Sequence, residues 1–322
     1  MKFFSKKSSL LISLLILIIS CKEKHSELID WLNSIEGLEI EKIEPDSVFT
    51  DAYRIFVPQF RDHDNPAAGM FMQQIILSHI DKNAPVVIDI EGYEAVNRTM
   101  EVTQILNSNQ IEVEHRYFGK SRPDSIGWKY LNIKQAAADH HRIIELFKEY
   151  YAGDWISSGI SKGGQAVMYH KRFYPDDVMA SIAYVAPLNF SDEDVRIYHF
   201  LDNVGEEDCR DRITAFQRIV LQEKHNLIPL LINEANEKDL EYSIGLEKGF
   251  EYIVLEYSFY FWQWANSSCS EIPDSTATFK ELYEHLSKNS AVDPMVDLDR
   301  FGCGFSRLCG AGGWYAGSGQ TR

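Results

Sequence analysis

Basic residues are scarce in this sequence of 322 residues. It has 32 Lys and Arg against 48 Asp and Glu, which gives a formal net charge of −16. Nucleic acids and anionic membranes are bound through basic surface, so this deficit argues against both as partners. The sequence also has no Cys-x-x-Cys pair and no histidine-rich cluster. We therefore expect neither a metal nor an organic cofactor.

Long apolar runs are missing too, apart from one near the N-terminus. Three lysines in the first seven residues precede an apolar run from Leu10 to Ile19, interrupted only by Ser13. The run is too short to span a bilayer as a helix, but it suits the apolar region of a signal peptide. It leads into Ile-Ile-Ser-Cys21, which resembles the lipobox of bacterial lipoproteins. The alternative is an ordinary signal peptide with an incidental cysteine.

Residues 1–21 are therefore predicted to be a lipoprotein signal peptide, with Cys21 as the lipidated first residue of the mature protein. Lys22 follows in place of the Asp that retains lipoproteins at the inner membrane. We expect an exported protein that is lipid-anchored to the bacterial outer membrane, or is otherwise periplasmic or at the cell surface. The lipid would be its only link to a membrane.

Strand and helix patterns alternate through the middle of the chain. The continuous apolar run at 84–90 predicts a buried strand, and 111–118, 155–158 and 178–187 are also predicted strands. Segments 132–151 and 163–173 predict helices. Asn132 can cap the first helix, with Gln135 three residues on. This alternation indicates an α/β fold with a mostly parallel sheet over residues 22–189.

The later part of the chain has a different character. Residues 190–295 are charged and helix-patterned and contain the aromatic stretch 252–264, which favours a helical cap over the site. Residues 296–322 form an atypical glycine-rich tail. Cys209 and Cys269 are the favoured disulfide pair, because export implies an oxidising compartment.

The pentapeptide Gly159-Ile160-Ser161-Lys162-Gly163 fits the nucleophile-elbow pattern G-x-S-x-G. It follows a predicted strand and opens a predicted helix, which is the context that the motif requires. Ser161 is the predicted nucleophile, and the backbone N–H of Lys162 is one predicted oxyanion donor. The second donor is expected from the loop after the strand at 84–90, from Gly92 or Tyr93. The alternative is a purely structural turn.

Three blocks in order, 113–123 (VEHRYFGKSRP), 131–141 (LNIKQAAADHH) and 159–187, resemble the secreted bacterial tripeptidyl aminopeptidases. That serine peptidase family is a sister of the Pro-X carboxypeptidase family. The resemblance implies an α/β-hydrolase core with a helical cap, a Ser-Asp-His triad with Ser161, and release of short peptides from free N-termini. It also implies that Cys209 and Cys269 lie in the cap, where a disulfide would brace it.

An aminopeptidase must hold the α-ammonium group of its substrate, and a carboxylate serves this purpose. Glu91 and Glu114 are the two candidates. For Glu114 the alternative is a structural ion pair with Arg116 or another buried base. His115 is expected to be a hydrogen-bonded core histidine on a strand.

The sequence departs from the family after Asp293-Pro294, where the expected last strands give way to the tail. We expect a truncated or frameshifted end that lacks the triad Asp and His. Four histidines follow Ser161, and none has the position of a catalytic base. Among them, His285 is expected to be exposed. An esterase or lipase on the same fold, and a catalytically defunct lipoprotein, remain as alternatives.

Overall fold

The structure is a computed structural model. It describes residues 27–123, 128–191, 194–238, 240, 242, 245–265 and 267–290. Cys21, Cys303, Cys309 and the glycine-rich tail lie outside these ranges. In the described part of the chain, no helix is both long enough and apolar enough to cross a membrane. The predicted domain limits at 21, 189 and 295 stay predictions.

A seven-stranded mixed sheet lies at the centre of the fold. Its strands are β1 (Glu39–Ile43), β2 (Asp51–Phe60), β3 (Met70–His79), β4 (Val86–Ile90), β5 (Asn109–Val113), β6 (Trp155–Ile160) and β7 (Ala180–Tyr184). The order across the sheet is β1-β2-β3-β5-β4-β6-β7. Strands β5, β4, β6 and β7 are parallel, whereas β1, β2, β3 and β5 pair antiparallel. The α/β fold class is confirmed, and the parallel arrangement holds for the half of the sheet that carries the site.

Nine helices are described: α1 (Glu27–Ser34), α2 (Glu101–Leu106), α3 (Ile133–Lys148), α4 (Lys162–Phe173), α5 (Val195–Asn203), α6 (Glu207–Gln222), α7 (Lys224–Lys238), α8 (Leu246–Trp264) and α9 (Phe279–Lys288). Asn132 caps α3 as predicted, because its side chain accepts a hydrogen bond from Gln135 N at 3.0 Å. The side chain of Gln135 does not return to the cap. Its Oε1 accepts from His63 N at 2.8 Å and ties the helix to the loop after β2.

Helices α3 and α4 cover one face of the sheet. Buried side chains from the two layers form a single hydrophobic cluster, which includes Ile88 and Ile111 from the sheet and Ile143, Phe147 and Val167 from the helices. The strand residues of the cluster alternate along their strands, and its helix residues recur at helical spacing. Both patterns place these residues at the interface between the sheet and the two helices. The cluster fixes α4, and with it the turn that carries Ser161.

A buried ion pair joins the antiparallel and parallel parts of the core. The fully buried Arg116 guanidinium donates to both carboxylate oxygens of Asp139, each at 2.7 Å. Its remaining donors reach the carbonyl oxygens of Phe60, Arg61 and Tyr130. Burial alone would raise the pKa of Asp139, but Arg116 and His63 outweigh it and the pKa is lowered. The carboxylate is therefore ionised, and the pair is fully hydrogen-bonded.

Helices α6 to α9 build a second hydrophobic cluster, separate from the sheet. Phe216, Phe250, Tyr257 and Phe261 are buried in it, so part of the aromatic stretch 252–264 packs inside this helical unit, while Trp264 is exposed. A disulfide links Cys209 to Cys269, the pair favoured from the sequence, with 5.3 Å between the Cα atoms. The expectation of an exposed His285 is wrong. This side chain packs against Phe216, and its Nε2 lies 2.8 Å from Tyr257 Oη.

Several elements were missed in the sequence. Strand β3, strand β1 and helix α2 had no predicted counterpart, because β3 alternates poorly and α2 has only 6 residues. The strand expected over 111–118 ends at Val113. The chain turns there because the Glu114 carboxylate binds the amides of the following loop, and Tyr117 takes a positive φ of 72°.

Candidate active site

Ser161 lies in the sharp turn between β6 and α4. Its φ of 56° and ψ of −116° are strained for a residue with a side chain. Two backbone hydrogen bonds hold this conformation: Ser161 N donates to Tyr184 O at 2.9 Å, and Gln165 N donates to Ser161 O at 3.0 Å. Ser161 itself is exposed. The geometry is that of a nucleophile elbow, in which the turn presents the hydroxyl beyond the end of the parallel strands.

The elbow and the loop after β4 approach each other too closely for side chains. A Cβ on Gly163 would overlap the carbonyl oxygen of Ile90. A Cβ on Gly92 would lie 2.6 Å from Lys162 Cβ and 2.8 Å from Gly163 N. Glycine at both positions is therefore a steric requirement. The consequence is that the Gly92-Tyr93 backbone lies directly against the start of α4, where a second oxyanion donor must be.

The Lys162 side chain also holds the elbow against the loop after β4. Lys162 is 3% exposed, and its Nζ lies 4.6 Å from the ring centroid of Tyr93 and 4.0 Å from that of Phe118. A cation over two aromatic rings in a desolvated site is a favourable interaction of about 2 kcal/mol. It ties the residue after the nucleophile to the loop that supplies the second donor. The sequence indicated a role only for the backbone N–H of Lys162, and the contact of its side chain with the two rings became visible only in the fold.

The two candidates for the second donor differ in their surroundings. Burial raises the pKa of Glu91, while Arg98 and the Gly92 backbone N–H lower it by interacting with the carboxylate. Gly92 and Tyr93 both stay candidates for the donor that faces the oxyanion, and the Tyr93 ring lies against Lys162 Nζ.

Glu91 lies beside this loop and has one strong partner. Its Oε1 accepts a hydrogen bond from Arg98 Nη2 at 2.5 Å. Its side chain is 14% exposed and that of Arg98 44% exposed. The exposed member of the pair is therefore Arg98, and the Glu91 carboxylate is mostly buried. Glu91 remains a candidate for the α-ammonium ligand.

The Glu114 carboxylate is surrounded by hydrogen-bond donors other than Arg116. It is 1% exposed. One carboxylate oxygen accepts from Lys120 N, Ser121 N and Ser121 Oγ, and the other from Gln74 Nε2 and Ala95 N. Five donors occupy the carboxylate, and none of them is Arg116. We interpret Glu114 as the anchor of the loop after β5, not as an ammonium ligand.

His115 is a core histidine, but it lies in the loop after β5 and not on a strand. It is fully buried, and its Nδ1 lies 2.8 Å from Arg116 O. Burial lowers the pKa of His115 well below its ordinary value, and the nearby Lys162 charge lowers it further. The imidazole is therefore neutral and forms part of the wall behind Lys162.

Two buried carboxyl groups behind the site were missed in the sequence. Asp89 on β4 and Glu112 on β5 are register partners, 1% and 0% exposed. Burial, with the nearby Glu91 charge, raises the pKa of Asp89 to about 8 and that of Glu112 to about 9. Among the described residues, Asp89 Oδ1 and Glu112 Oε2 have no hydrogen-bond partner. Both groups are therefore protonated at neutral pH. In the sequence, each of these acids lies between apolar residues of a short strand. That pattern alone does not show that the two side chains lie on the same face of the sheet.

No histidine in the described ranges contacts the Ser161 hydroxyl. His170 is buried on α4, and its Nε2 lies 2.9 Å from Asp177 Oδ2. His199 bonds Asn203 on α5, and His285 bonds Tyr257. The fourth, His225, is exposed on α7. The described residues thus form the elbow and the loop packed against it, and none of their histidines is hydrogen-bonded to Ser161 Oγ.

Comparisons with known proteins agree with this geometry. The family model of the PS-10 peptidase S37 matches residues 21–293. The chain is 33% identical over 283 residues to the prolyl tri/tetrapeptidyl aminopeptidase of Streptomyces mobaraensis, which is 84% of this chain and 58% of that relative. It thus spans little more than half the length of this curated relative.

Solved structures show a more distant likeness. The acetyl xylan esterase from Paenibacillus sp. R4 has a TM-score of 0.34 at 11% identity, covering 48% of this chain and 55% of that one. The acetyl xylan esterase 1 from Thermoanaerobacterium sp. JW/SL YS485 has a TM-score of 0.35 at 12% identity, covering 48% and 54%. Such scores support no further argument. The extent of the family match and the identity to the aminopeptidase establish that this chain belongs to the peptidase S37 family.

Proposed function

We propose that this protein is a serine peptidase that releases short peptides, of the tripeptidyl type, from free N-termini through an acyl-enzyme at Ser161. The observation that carries the proposal is the strained elbow at Ser161, with the Lys162 N–H and the Tyr93 loop packed beside it. The family and the aminopeptidase relative support peptide as the substrate class. The relative's name also supports proline near the cleaved bond.

In the proposed reaction, Ser161 Oγ attacks the scissile carbonyl carbon and loses its proton to a general base. The carbonyl oxygen gains negative charge, and the backbone N–H groups of Lys162 and of Gly92 or Tyr93 stabilise it. Collapse of this intermediate expels the amine of the downstream peptide, which takes up the proton, and water then hydrolyses the ester. The described histidines do not supply the base. A chain without it would react about 10⁴- to 10⁶-fold more slowly.

A fluorophosphonate serine-hydrolase probe tests the nucleophile directly. We expect the purified chain to be labelled and Ser161→Ala to stay unlabelled, because the probe needs an activated serine hydroxyl. Ser157→Ala is a suitable control, since Ser157 lies on β6 and its hydroxyl bonds Ser181. Equal labelling of wild type and Ser161→Ala would contradict the assignment. No labelling of a folded wild-type chain would show that this chain does not assemble an active site.

We further propose that Glu91 binds the substrate's α-ammonium group. The carboxylate lies next to the oxyanion loop, and it already holds one cationic group, the Arg98 guanidinium. Peptide p-nitroanilides of the form Xaa-Xaa-Pro, with free and with acetylated N-termini, test this. We expect Glu91→Gln to lower kcat/KM for the free peptide by at least about tenfold and to leave the acetylated peptide unchanged. Equal losses on both substrates would assign Glu91 to the structure of the loop.

Export with a lipid on Cys21 is also part of the proposal. It rests on the sequence of residues 1–21 alone.

A further inference from the structure

A cluster of three potential metal ligands lies away from the elbow, between α3 and the segment after α4. His141 and Glu145 are one turn apart on α3, so their side chains leave the same face of the helix. Asp177 approaches them from the turn that precedes β7. One imidazole nitrogen and one carboxylate oxygen from each acid all lie within 4.8 Å of one another. That spacing suits three ligands around a single ion.

Two of these side chains are held in place by buried or stacked neighbours. The Tyr174 ring stacks on His141 with 4.1 Å between centroids and 7° between planes. Asp177 Oδ2 lies 2.9 Å from Nε2 of His170, whose side chain is completely buried. His170 Nδ1 has no hydrogen-bond partner among the described residues. A carboxylate oriented by a buried imidazole is the second-shell arrangement found around protein-bound metals.

We propose that His141, Glu145 and Asp177 bind a divalent transition metal, for which Zn²⁺ is the best match. One imidazole and two carboxylates are ligands that Zn²⁺ accepts, and a water molecule would complete four-coordination. The two carboxylates balance the charge of the ion. His141 and Glu145 are partly exposed, so the ion can enter from solvent. The expectation of no metal rested on the lack of a Cys-x-x-Cys pair and of a histidine-rich cluster, and such patterns cannot show a ligand 36 residues beyond His141.

The site has a structural role in this proposal. Asp177 follows the C-terminal end of α4, whereas Ser161 precedes its N-terminus, so the helix separates the ion from the nucleophile. The metal would join α3 to the turn between α4 and β7. Without it, His141 Nδ1 shares a hydrogen with Asp177 at 2.8–2.9 Å. Metal binding replaces that hydrogen bond, because the imidazole must offer a lone pair. The inference does not depend on the proposed peptidase activity.

Zinc binding by the purified full chain tests the proposal. EDTA removes bound metal, and dialysis then removes the EDTA. Isothermal titration calorimetry with ZnCl₂ measures the affinity, and elemental mass spectrometry measures the amount of zinc bound per chain. We expect His141→Gln and Glu145→Gln each to bind one zinc fewer per chain than the wild type, or to bind it at least about 100-fold more weakly. Both side chains are partly exposed, so the variants are expected to fold, and circular dichroism checks this.

His199→Gln is the matched control, because it removes an exposed histidine that bonds only its own helix neighbour Asn203. The proposal is supported if zinc bound by His199→Gln equals that of wild type while the two site variants each lose one ion. It is overturned if wild type, His141→Gln and Glu145→Gln bind the same amount of zinc with the same affinity, or if none of them binds zinc.

Discussion

The buried carboxyl groups of Asp89 and Glu112 should make the stability of this protein fall as the pH rises. Their ordinary pKa values are 3.8 and 4.5, and the fold raises them to about 8 and about 9. Between these limits the folded state keeps both protons, whereas the unfolded chain has released them. The folded state therefore binds more protons, and the free energy of unfolding decreases with rising pH across this window.

The size of the effect follows from proton linkage. Each carboxyl group that is protonated in the folded state and ionised in the unfolded chain has the same effect. It lowers the free energy of unfolding by about 1.4 kcal/mol for each unit by which the pH rises. Raising the pH from about 5.5 to about 7.5 should therefore remove about 3 kcal/mol per group. Glu112→Gln removes one ionisable group and keeps the side-chain shape. Its Oε1 can still accept the hydrogen bond that Val96 N donates to Glu112.

Urea unfolding followed by tryptophan fluorescence, at several pH values in that range, measures the difference. We expect the wild-type stability to decline more steeply than that of Glu112→Gln, with a gap that widens by about 3 kcal/mol across the range. Asp89→Asn should behave similarly, and the double variant should be flattest. Glu149→Gln, at an exposed position on the same chain, should follow the wild type. Parallel curves for wild type and Glu112→Gln would refute the assignment of a buried protonated carboxyl.

Three further predictions concern the rest of the chain. Asp139→Asn leaves the Arg116 guanidinium buried without its counter-charge and should lower the free energy of unfolding by about 3–5 kcal/mol, measured by urea titration. Cys209→Ala removes a disulfide to Cys269 that spans 60 residues and should destabilise the helical unit by about 4 kcal/mol; an unchanged melting temperature would contradict this. Cys21→Ser should abolish lipid attachment, and mass spectrometry of the membrane fraction should show no diacylglyceryl-modified peptide in that variant.

The elbow and the sheet strands around it could be predicted from local sequence. The residues that specify these features lie in the same element or directly beside it. They are the apolar residues of β4 and β6, the glycines that flank Ser161, and the Asn132 cap. Short-range sterics and hydrogen bonding decide these features, so a single sequence suffices. The pairing of Cys209 with Cys269 could also be predicted, because the sequence contains few other cysteines.

Tertiary structure alone decided the roles of the charged side chains. The sequence left Glu114 open as an ammonium ligand or a structural ion pair, but in the fold five donors from β3 and from the loops after β4 and β5 surround it. Asp89 and Glu112 are distant in sequence, and only the parallel pairing of β4 with β5 brings them together. The ligand cluster at His141 and Asp177 likewise exists only because α3 packs beside α4. A charge interacts over a few ångströms through space, so its partners depend on the packing of the whole chain and not on its neighbours in sequence.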